Sequence, residues 1–480
     1  MVANSRMAKH GRLLRGCLVA LLSSAICAIA TGQGLPMEVE SELRRAKIPL
    51  DATATYIQEV GSRAAWIAIN HKKPFNPAST MKLVTTSAAL DLLGPSYTWK
   101  TTAYTTGTQQ GDVLRGNLIF KGSGDPKFLM EHFWQFLRQI RAKGIREIRG
   151  NLILDRTAFE ESSFDAAAFD GAAEKAYNAG PDALLLNHKS LKFQFLPDAS
   201  IRKVRVSVDP PVANYALGSP ELSSGSCNGW KDKLGADVSN SGATFSGSFD
   251  ADCGDKAWFM HPYQMSQNQY FGSVFRQMWH EVGGSFRGEV KSGSAPSDAT
   301  QIAEWTSPML PEIIRDINKH SNNVMARQLL LTLAADPMGQ PATAEQGARV
   351  IRGWLANKGI VAPEIVVENG SGLSRAERIS AVTMGKMLAA AWRSPLMPEF
   401  ISSLPVAAYD GTMRNRLKEA GVAGRAHIKT GGLREVRTIA GFVLASSGKR
   451  YVVVNFINHP NAASGRTAQD ALLQWVYENG

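Results

Sequence analysis

The 480-residue sequence lacks the compositional bias of a disordered or collagen-like chain, because its apolar and charged fractions (44% and 20%) are those of an ordinary globular protein. It has no internal repeat and no low-complexity tract. Its nine histidines are scattered without the i, i+4 pairing of a zinc helix, so we expect neither a metal site nor another cofactor. No nucleic-acid motif accompanies its spread positive charge, which argues against a nucleic-acid partner.

The first thirty residues contain an apolar stretch that is short for a membrane span. Residues 18–29 are apolar, and Ala28, Ile29 and Ala30 supply a small-residue cleavage site. The basic residues before the stretch are Arg6, Lys9, Arg12 and Arg15. This pattern is typical of a secretory signal peptide over 1–30. The alternatives are a retained membrane anchor and a lipoprotein, for which Ile26 before Cys27 is bulky. We therefore expect an exported protein of the bacterial periplasm or cell envelope, with no stable membrane span after signal removal.

Cysteine is scarce, and signal removal makes it scarcer. Of four cysteines, only Cys227 and Cys253 lie beyond the signal, and in an oxidising compartment they most simply form a disulfide. Two unpaired thiols are the alternative, since sequence does not give their geometry. The formal charge falls from +11 to +7, because the signal takes four basic residues and no acidic one. A positive charge of this size suits an anionic envelope polymer or a membrane surface.

The secondary-structure pattern divides the chain into three parts. Strands are predicted over 52–69, followed by a helix from Ser79 to a stop at Gly94, with Met81, Val84, Ala88 and Leu92 on one face. Residues 97–296 are β-rich, with one helix over 131–143, and we expect them to be an inserted domain. The later elements are helices over 311–335, 343–358 and 380–393, strands over 425–430, 438–445 and 450–458, and a closing helix over 467–477.

A serine one helical turn from a lysine is the first chemical signal. Ser79 and Lys82 are three residues apart, so they lie on the same helix face. A serine hydroxyl needs an adjacent base to act as a nucleophile, and a desolvated lysine near another cation has a lowered pKa. The same spacing recurs at Ser446 and Lys449, in a predicted hairpin turn, so the motif alone is a weak indication.

Two further elements follow in order along the chain. Ser321 and Asn323 lie within a helical region, where such residues are unfavourable unless a break or a site requires them. We expect Ser321 to relay a proton and Asn323 to hold Lys82 and the substrate, although a capping cluster would look the same. A strand ends with Lys429, Thr430, Gly431 and Gly432. We expect Lys429 to supply a second cation and Thr430 a hydroxyl for an anionic substrate end. We expect Gly431 to allow close backbone approach, and the N–H of Gly432 to bind an oxyanion together with that of Ser79. The three elements together are those of Ser-x-x-Lys acyltransferases.

Further segments make the chain resemble one branch of this superfamily. The runs concerned are 76–82, 122–126, 177–184, 369–375 and 409–412. They are similar to segments of the class C low-molecular-mass penicillin-binding proteins, which are D-alanyl-D-alanine carboxypeptidase/endopeptidases. No Gly-x-Ser-x-Gly elbow of the strand–turn–helix kind stands out, which argues against an α/β-hydrolase.

The resemblance implies the fold and the partners. It implies an α+β protein with an antiparallel sheet flanked by helices and a helical lobe, whose catalytic domain comprises 31–96 and 297–480. It implies peptidoglycan stem peptides as substrates, β-lactam antibiotics as covalent inhibitors, and complexes of cell-wall synthesis or hydrolysis as partners. It also implies that Arg375, Leu433, Arg434 and an acid from the inserted region recognise the stem-peptide side chain. We expect that acid to be Asp170, with Asp125 as the alternative.

One residue departs from the family pattern. The family usually has Thr or Ser where this chain has Gly432, so the oxyanion N–H is kept and a hydroxyl for the terminal carboxylate is lost. This puts carboxypeptidase strength in question more than endopeptidase activity. The other readings are a β-lactamase or esterase on the same scaffold and a non-catalytic peptidoglycan-binding scaffold.

Overall fold

The computed structural model describes residues 34–161, 164–335 and 341–480, and the predicted signal peptide lies outside them. The helices in these ranges are α1 (Met37–Arg45), α2 (Met81–Leu93), α3 (Met130–Ala142), α4 (Gln267–Glu281), α5 (Leu310–His320), α6 (Asn323–Ala335), α7 (Ala344–Asn357), α8 (Ala381–Arg393), α9 (Met397–Ser403) and α10 (Arg466–Asn479).

The strands of the described residues fall into a terminal group and a middle group. The terminal strands that precede the middle of the chain are β1 (Thr53–Glu59), β2 (Ile67–Ile69) and β3 (Pro74–Phe75). The middle strands are β4 (Lys100–Thr105), β5 (Thr108–Gln110), β6 (Val113–Arg115), β7 (Leu118–Gly122), β8 (Glu147–Ile148), β9 (Leu152–Asp155), β10 (Leu191–Asp198), β11 (Lys203–Asp209), β12 (Ala216–Gly218), β13 (Glu221–Ser223), β14 (Leu234–Val238), β15 (Gly242–Asp250), β16 (Lys256–Met260), β17 (Ser285–Phe286), β18 (Val290–Ser292) and β19 (Thr300–Thr306). The C-terminal strands are β20 (Ile379–Ser380), β21 (Ala426–Leu433), β22 (Val436–Leu444) and β23 (Arg450–Asn458).

A five-stranded antiparallel sheet joins the two ends of the chain, in the order β2-β1-β23-β22-β21. Side chains alternate between the two faces of a strand, and both faces of β23 are covered. Val452 and Val454 face the core of the helical lobe, which consists of α2 and α5 to α9, whereas Val453 and Ile457 face α1 and α10. The sheet is therefore the middle layer of a helix–sheet–helix sandwich, and β21 lies at its edge.

Helix α2 runs through the centre of the helical lobe. It ends where Gly94 takes a positive φ of 83°, at the predicted stop. Every residue from Met81 to Leu90 is buried, so the helix is enclosed on all sides rather than presenting the single apolar face predicted for it. The apolar pattern predicts Leu92 on that buried face, but its side chain is exposed.

The predicted single helix over 311–335 is wrong, because the chain breaks it into α5 and α6. Ser321 adopts a left-handed conformation with φ 57° and ψ 37° at the end of α5. The side chain of Asn322 then accepts a hydrogen bond from the N–H of Met325 and caps α6. The break turns the region of Ser321 towards the sheet.

The middle strands form sheets and a hydrophobic cluster separate from those of the central sheet. Within this region α4 accompanies α3, so the expectation of one helix there is wrong; a capping box of Ser266 and Gln269 starts α4. The division at 97–296 stays a prediction, and the pairing of β19 with β4 favours an end after Thr306. Cys227 and Cys253 are joined by a disulfide in this region.

Candidate active site

Ser79 lies in a short 3-10 turn, Ala78–Thr80, that leads directly into α2. Ala78 before it has a φ of 44°, which is unfavourable for a residue with a Cβ. The side chain of Asn76 holds this conformation, since its Oδ1 accepts from the N–H of Ala78 at 2.9 Å and its Nδ2 donates to the carbonyl of Ser374 at 2.9 Å. The serine is thus presented, half-buried, at the N-terminal end of a helix.

Lys82 is fully buried and has three oxygen neighbours. Its Nζ lies 3.1 Å from Oγ of Ser79 and 2.6 Å from Oδ1 of Asn323, and it also contacts the carbonyl of Ser371. The amide and backbone oxygens only accept hydrogen bonds, so a neutral amine donates its two N–H groups to them. Its lone pair is then directed to the Ser79 hydroxyl, which is the arrangement a general base requires.

Burial and a neighbouring cation favour that neutral form. Desolvation is the main cause that lowers the pKa of Lys82 well below its usual value, and the charge of Lys429 lowers it further. Glu377 opposes this effect and Arg327 adds to it. The lowered pKa favours the neutral amine that a general base requires.

Ser321 and Lys429 form the opposite wall of the site. Nζ of Lys429 donates to Oγ of Ser321 at 2.9 Å and to the carbonyl of Thr430 at 2.8 Å. Because Oγ of Ser321 accepts this bond, its own proton is available for transfer to another group. Burial lowers the pKa of Lys429 to about 7, so this cation is partly deprotonated around neutral pH.

The edge strand β21 passes close to the backbone of Ser79 at Gly431. A Cβ at Gly431 would lie 2.2 Å from Oγ1 of Thr438 and 2.9 Å from the backbone nitrogen of Ser79, so only glycine allows this approach. Thr438 in turn donates to the carbonyl of Pro77 at 2.7 Å. The nucleophile segment is thereby tied to the central sheet.

The backbone of Gly432 points into the same cleft. Along β21, the carbonyl of Ala426 and the N–H of Ile428 bond to residues outside the sheet, so both point away from β22. Backbone groups of alternate residues point to the same edge of a strand, which directs the N–H of Gly432 away from β22 as well. Ser79 lies in the first turn of its helix, where N–H groups lack intrahelical partners. The two N–H groups can therefore act together on an oxyanion.

The predicted substrate-binding residues occupy two places. Thr430 donates to Oγ1 of Thr412 at 2.8 Å at the open side of the cleft. Leu433 ends β21 half-buried, and Arg434 is exposed in the turn that follows.

Arg375 and Asp170, the other predicted substrate residues, are far apart in the sequence but belong to neighbouring surfaces of the fold. Arg375 is exposed, and its guanidinium lies 4.7 Å from the ring centroid of Phe169, next to Asp170. Asp170 accepts hydrogen bonds from Tyr177 and Asn178 at 2.7 and 2.8 Å. Burial by itself would raise the pKa of Asp170, but the hydrogen bonds outweigh burial, and the net pKa is lowered. Asp125, the alternative acid, is instead buried at a turn, where desolvation raises its pKa to about 6.

Three groups near the site were not assigned from the sequence. The carbonyl of Ser371, in the run 369–375 that resembles the family, accepts a hydrogen bond from Lys82. The carboxylate of Glu377 accepts from the N–H groups of three loop residues and thus fixes this loop; nothing in the pattern signals it. Thr412, in the run 409–412, contacts Thr430.

Two negative findings apply to the described ranges 34–161, 164–335 and 341–480. No group of three or more histidines, cysteines and acidic residues is placed to hold a metal ion there. No helix in those ranges has the length and apolar character needed to cross a bilayer.

The fold and the site define a serine acyltransferase of the β-lactamase/DD-peptidase type. A model of the D-Ala-D-Ala carboxypeptidase 3 (S13) family matches residues 35–479. The chain belongs to this family, and it is a serine-type D-Ala-D-Ala peptidase.

Known relatives span most of the chain. The D-alanyl-D-alanine carboxypeptidase of Actinomadura sp. (strain R39) is 27% identical over 423 residues, which cover 82% of this chain and 76% of that protein. The D-alanyl-D-alanine carboxypeptidase DacB of Haemophilus influenzae is 25% identical over 391 residues, 79% of this chain and 80% of that protein. The crystal structure of penicillin binding protein 4 (dacB) from H. influenzae superposes with a TM-score of 0.77 and 22% identity, covering 92% of this chain and all of that one. The expected fold class is confirmed.

Proposed function

We propose that this chain hydrolyses D-alanyl peptides of peptidoglycan through an acyl-enzyme on Ser79, in an exported form that acts in the bacterial cell envelope. The observation that carries the assignment of roles is the position of the buried Lys82 amine, whose nitrogen lies 3.1 Å from Oγ of Ser79 and also contacts Oδ1 of Asn323 and the carbonyl of Ser371. No cofactor takes part in this proposal.

Acylation begins with transfer of the Ser79 proton to Lys82. Oγ of Ser79 then forms a bond to the carbonyl carbon of the penultimate D-alanine, and the carbonyl oxygen becomes an oxyanion held by the N–H groups of Ser79 and Gly432. Preorganised donors of this kind are worth about 3–4 kcal/mol of transition-state stabilisation each.

The leaving amine needs a proton when the peptide bond breaks. Ser321 is suited to donate it, because its oxygen already accepts a hydrogen bond from Lys429 and its O–H is available. Ser321 regains a proton from Lys82, so the proton taken from Ser79 ends on the amine. A water molecule then attacks the ester, with its proton passing back through Lys82 to Ser79.

Substrate recognition would use the edge strand and a second site beside it. A peptide laid antiparallel on β21 uses the outward backbone groups of Thr430 and Gly432, which is a form of strand addition. Leu433 and Arg434 at the end of β21 extend this surface. Arg375 and Asp170 supply one charge of each sign, which suits a stem-peptide side chain that carries both an amine and a carboxylate.

The organisation of the chain supports a cell-envelope location. The predicted signal peptide over 1–30 would direct export, and a net charge of +7 after its removal suits an anionic envelope. We propose that the region beginning at 97 is an inserted domain, and that its sheets offer a surface for complexes of cell-wall synthesis or hydrolysis. Penicillin binding protein 4 of H. influenzae has also been solved in complex with a β-lactam, and we propose that β-lactams acylate Ser79 here.

Mass spectrometry of the mature protein after penicillin treatment tests the nucleophile. The wild type should gain one penicilloyl group, and Ser79→Ala should gain none. Ser446→Ala, which removes another serine that precedes a lysine by three residues, is the matched control and should behave as the wild type. An adduct on Ser79→Ala would overturn the assignment.

Digestion of purified peptidoglycan peptides separates the remaining readings. Release of D-alanine or cleavage of cross-links, with slow loss of the penicilloyl group, supports a peptidase. Rapid penicillin turnover without peptide cleavage would identify a β-lactamase or esterase. If neither an adduct nor peptide cleavage is observed, the remaining interpretation is a non-catalytic scaffold.

A further inference from the structure

Gly432 and Arg437 are cross-strand partners at the end of the β21–β22 hairpin. Directly paired residues of an antiparallel ladder place their side chains on one face of the sheet, close together. A Cβ built on Gly432 would lie 2.8 Å from Nη1 of Arg437 and 3.4 Å from its Cζ. The guanidinium of Arg437 therefore occupies the space that a threonine or serine side chain at 432 would need.

The guanidinium of Arg437 is held in place and retains free donors. Its Nη1 donates to the carbonyls of Leu433 and Val436, both at 3.0 Å. Among the described residues, Nε and Nη2 of Arg437 have no hydrogen-bond partner. A fixed guanidinium with free N–H groups is suited to bind a carboxylate.

Arg437 opens onto a cavity that adjoins β21. The lining includes Thr430, Gly432, Arg437, Arg414, Arg416 and Arg466. Thr430 and Gly432 are two residues apart on β21, so the Thr430 hydroxyl and the Arg437 guanidinium are on the same face.

The cavity carries an excess of positive charge. Arg416 is buried and bonds Oδ1 of Asp470 through Nε and Nη2 at 2.9 and 2.6 Å, so it is neutralised. Arg466 approaches the same carboxylate only at 3.9 Å, and Arg414 is exposed. Arg414, Arg437 and Arg466 thus leave the cavity attractive to an anion.

We propose that Arg437, with the hydroxyl of Thr430, forms the subsite that binds the free carboxylate of the leaving D-amino acid. This inference rests on the proposed function, because a D-alanine released by the peptidase carries that carboxylate. Arg437 then replaces the hydroxyl that Gly432 lacks. Gly432 and Arg437 are a matched pair, since a larger residue at 432 would displace the guanidinium.

Paired substrates test the subsite. One is a peptide that ends in D-Ala-D-Ala with a free carboxylate, and the other is the same peptide with a terminal carboxamide. For the wild type, kcat/KM should be higher for the acid. Arg437→Gln should lower kcat/KM for the acid by about tenfold to a hundredfold and leave the carboxamide nearly unchanged. Arg425→Gln, which removes one charge just before β21, at the opposite end of the β21–β22 hairpin from Arg437, is the matched control and should change neither value.

A second variant tests the matched pair. Gly432→Thr alone should lose the preference for the acid, because its side chain clashes with the guanidinium. Gly432→Thr combined with Arg437→Gln should regain part of that preference through the new hydroxyl.

The outcomes separate this proposal from the proposed function. An equal loss on both substrates would mean that Arg437 only supports the hairpin, and an unchanged preference in Arg437→Gln would mean that the carboxylate binds elsewhere; either result overturns the subsite and leaves the peptidase intact. If the wild type cleaves neither peptide and gains no penicilloyl group, the proposed function fails, and the subsite fails with it.

Discussion

Lys82 and Lys429 are both fully buried in the cleft, and the positive charge of Lys429 adds to desolvation in lowering the pKa of Lys82. The two lysines contact different serines, since Lys82 lies beside Ser79 and Lys429 bonds to Ser321. The site therefore uses one buried cation to keep the other amine neutral. This coupling has consequences for pH dependence and for stability.

Replacing Lys429 should move the acidic limb of the reaction to higher pH. Lys82 must be neutral to accept the Ser79 proton, so acylation is lost as pH falls through its pKa. Without the charge of Lys429 that pKa rises, and in Lys429→Met the loss occurs at higher pH. At neutral pH we expect acylation to slow by about tenfold or more. The measurement is the second-order rate of penicillin acylation between pH 5 and 9. Ser321→Ala, which changes the hydroxyl but no charge, should leave the midpoint in place.

The same substitution should stabilise the fold. The pKa of Lys429 is about 7 in the folded protein, which is below the value of an exposed lysine in the unfolded chain. Between about pH 7 and about pH 10 the unfolded chain therefore binds more protons, and the free energy of unfolding rises with pH. Below about pH 7 the cost of burying the charge is fully present. Methionine removes that cost, and we expect a gain on the order of 1–4 kcal/mol at pH 6. Urea unfolding at pH 6, 8 and 9.5 should show the gain shrinking as pH rises. A gain that is the same at all three values would contradict the explanation.

Glu377 should act on Lys82 in the opposite direction. Its buried carboxylate raises the pKa of Lys82, so Glu377→Gln should move the acidic limb of acylation to lower pH. The carboxylate also accepts hydrogen bonds from the N–H groups of Glu368, Asn369 and Gly370. The substitution weakens these three bonds, and we expect it to lower the free energy of unfolding by about 1–3 kcal/mol. A shift of the midpoint to higher pH, in the same rate measurement, would show that the electrostatic role is wrongly assigned. The control is Glu364→Gln, because the carboxylate of Glu364 accepts a hydrogen bond from Thr383 elsewhere in the helical lobe. This control should leave the midpoint of acylation unchanged.

The sequence predicted the parts of the site that depend on local spacing. Ser79 and Lys82 are three residues apart, so one helical turn, whether 3-10 or α, brings their side chains together. The glycines after Lys429 indicate close backbone approach at a strand end. The apolar periodicity continues across Ser321 and therefore predicts one helix over 311–335, although the serine and asparagines there are residues that also indicate a break or a cap. The left-handed conformation of Ser321 itself has no signal in the sequence.

Contacts between distant segments could not be predicted in the same way. The carbonyl of Ser371 reaches Lys82 across 289 residues of sequence, and Glu377 acts through the loop that carries it. A backbone carbonyl has no residue type to mark it, and a buried carboxylate looks like any surface charge in a sequence. The contact between Arg375 and Phe169 likewise depends on how the middle region packs against the helical lobe, which local sequence patterns do not specify.

The disulfide should matter for stability and not for acylation. Cys227 and Cys253 are separated by 26 residues, and closing a loop of this length stabilises by about 3 kcal/mol in the chain-entropy description. Cys253 packs in the core of the middle region, whereas Ser79 lies between the central sheet and the helical lobe. A variant with both cysteines changed to serine should melt at lower temperature and acylate at the wild-type rate at 25 °C. An acylation rate that falls together with stability would show that the middle region supports the site.

Gly372 should be intolerant of any side chain because it lies against the nucleophile segment. Its φ is +79°, and a Cβ there would lie 1.8 Å from the carbonyl oxygen of Ala78 and 2.7 Å from the nitrogen of Ser79. Gly372→Ala must therefore displace the turn that presents Ser79, and we expect penicillin acylation to fall by about a hundredfold or more. Gly448→Ala is the matched control, since its φ is +87° and no atom lies within 4 Å of the added Cβ. That control should lose about 1–2 kcal/mol from backbone strain alone and keep its acylation rate. Equal effects of the two substitutions on acylation would mean that the contact between Gly372 and Ala78 does not position the serine.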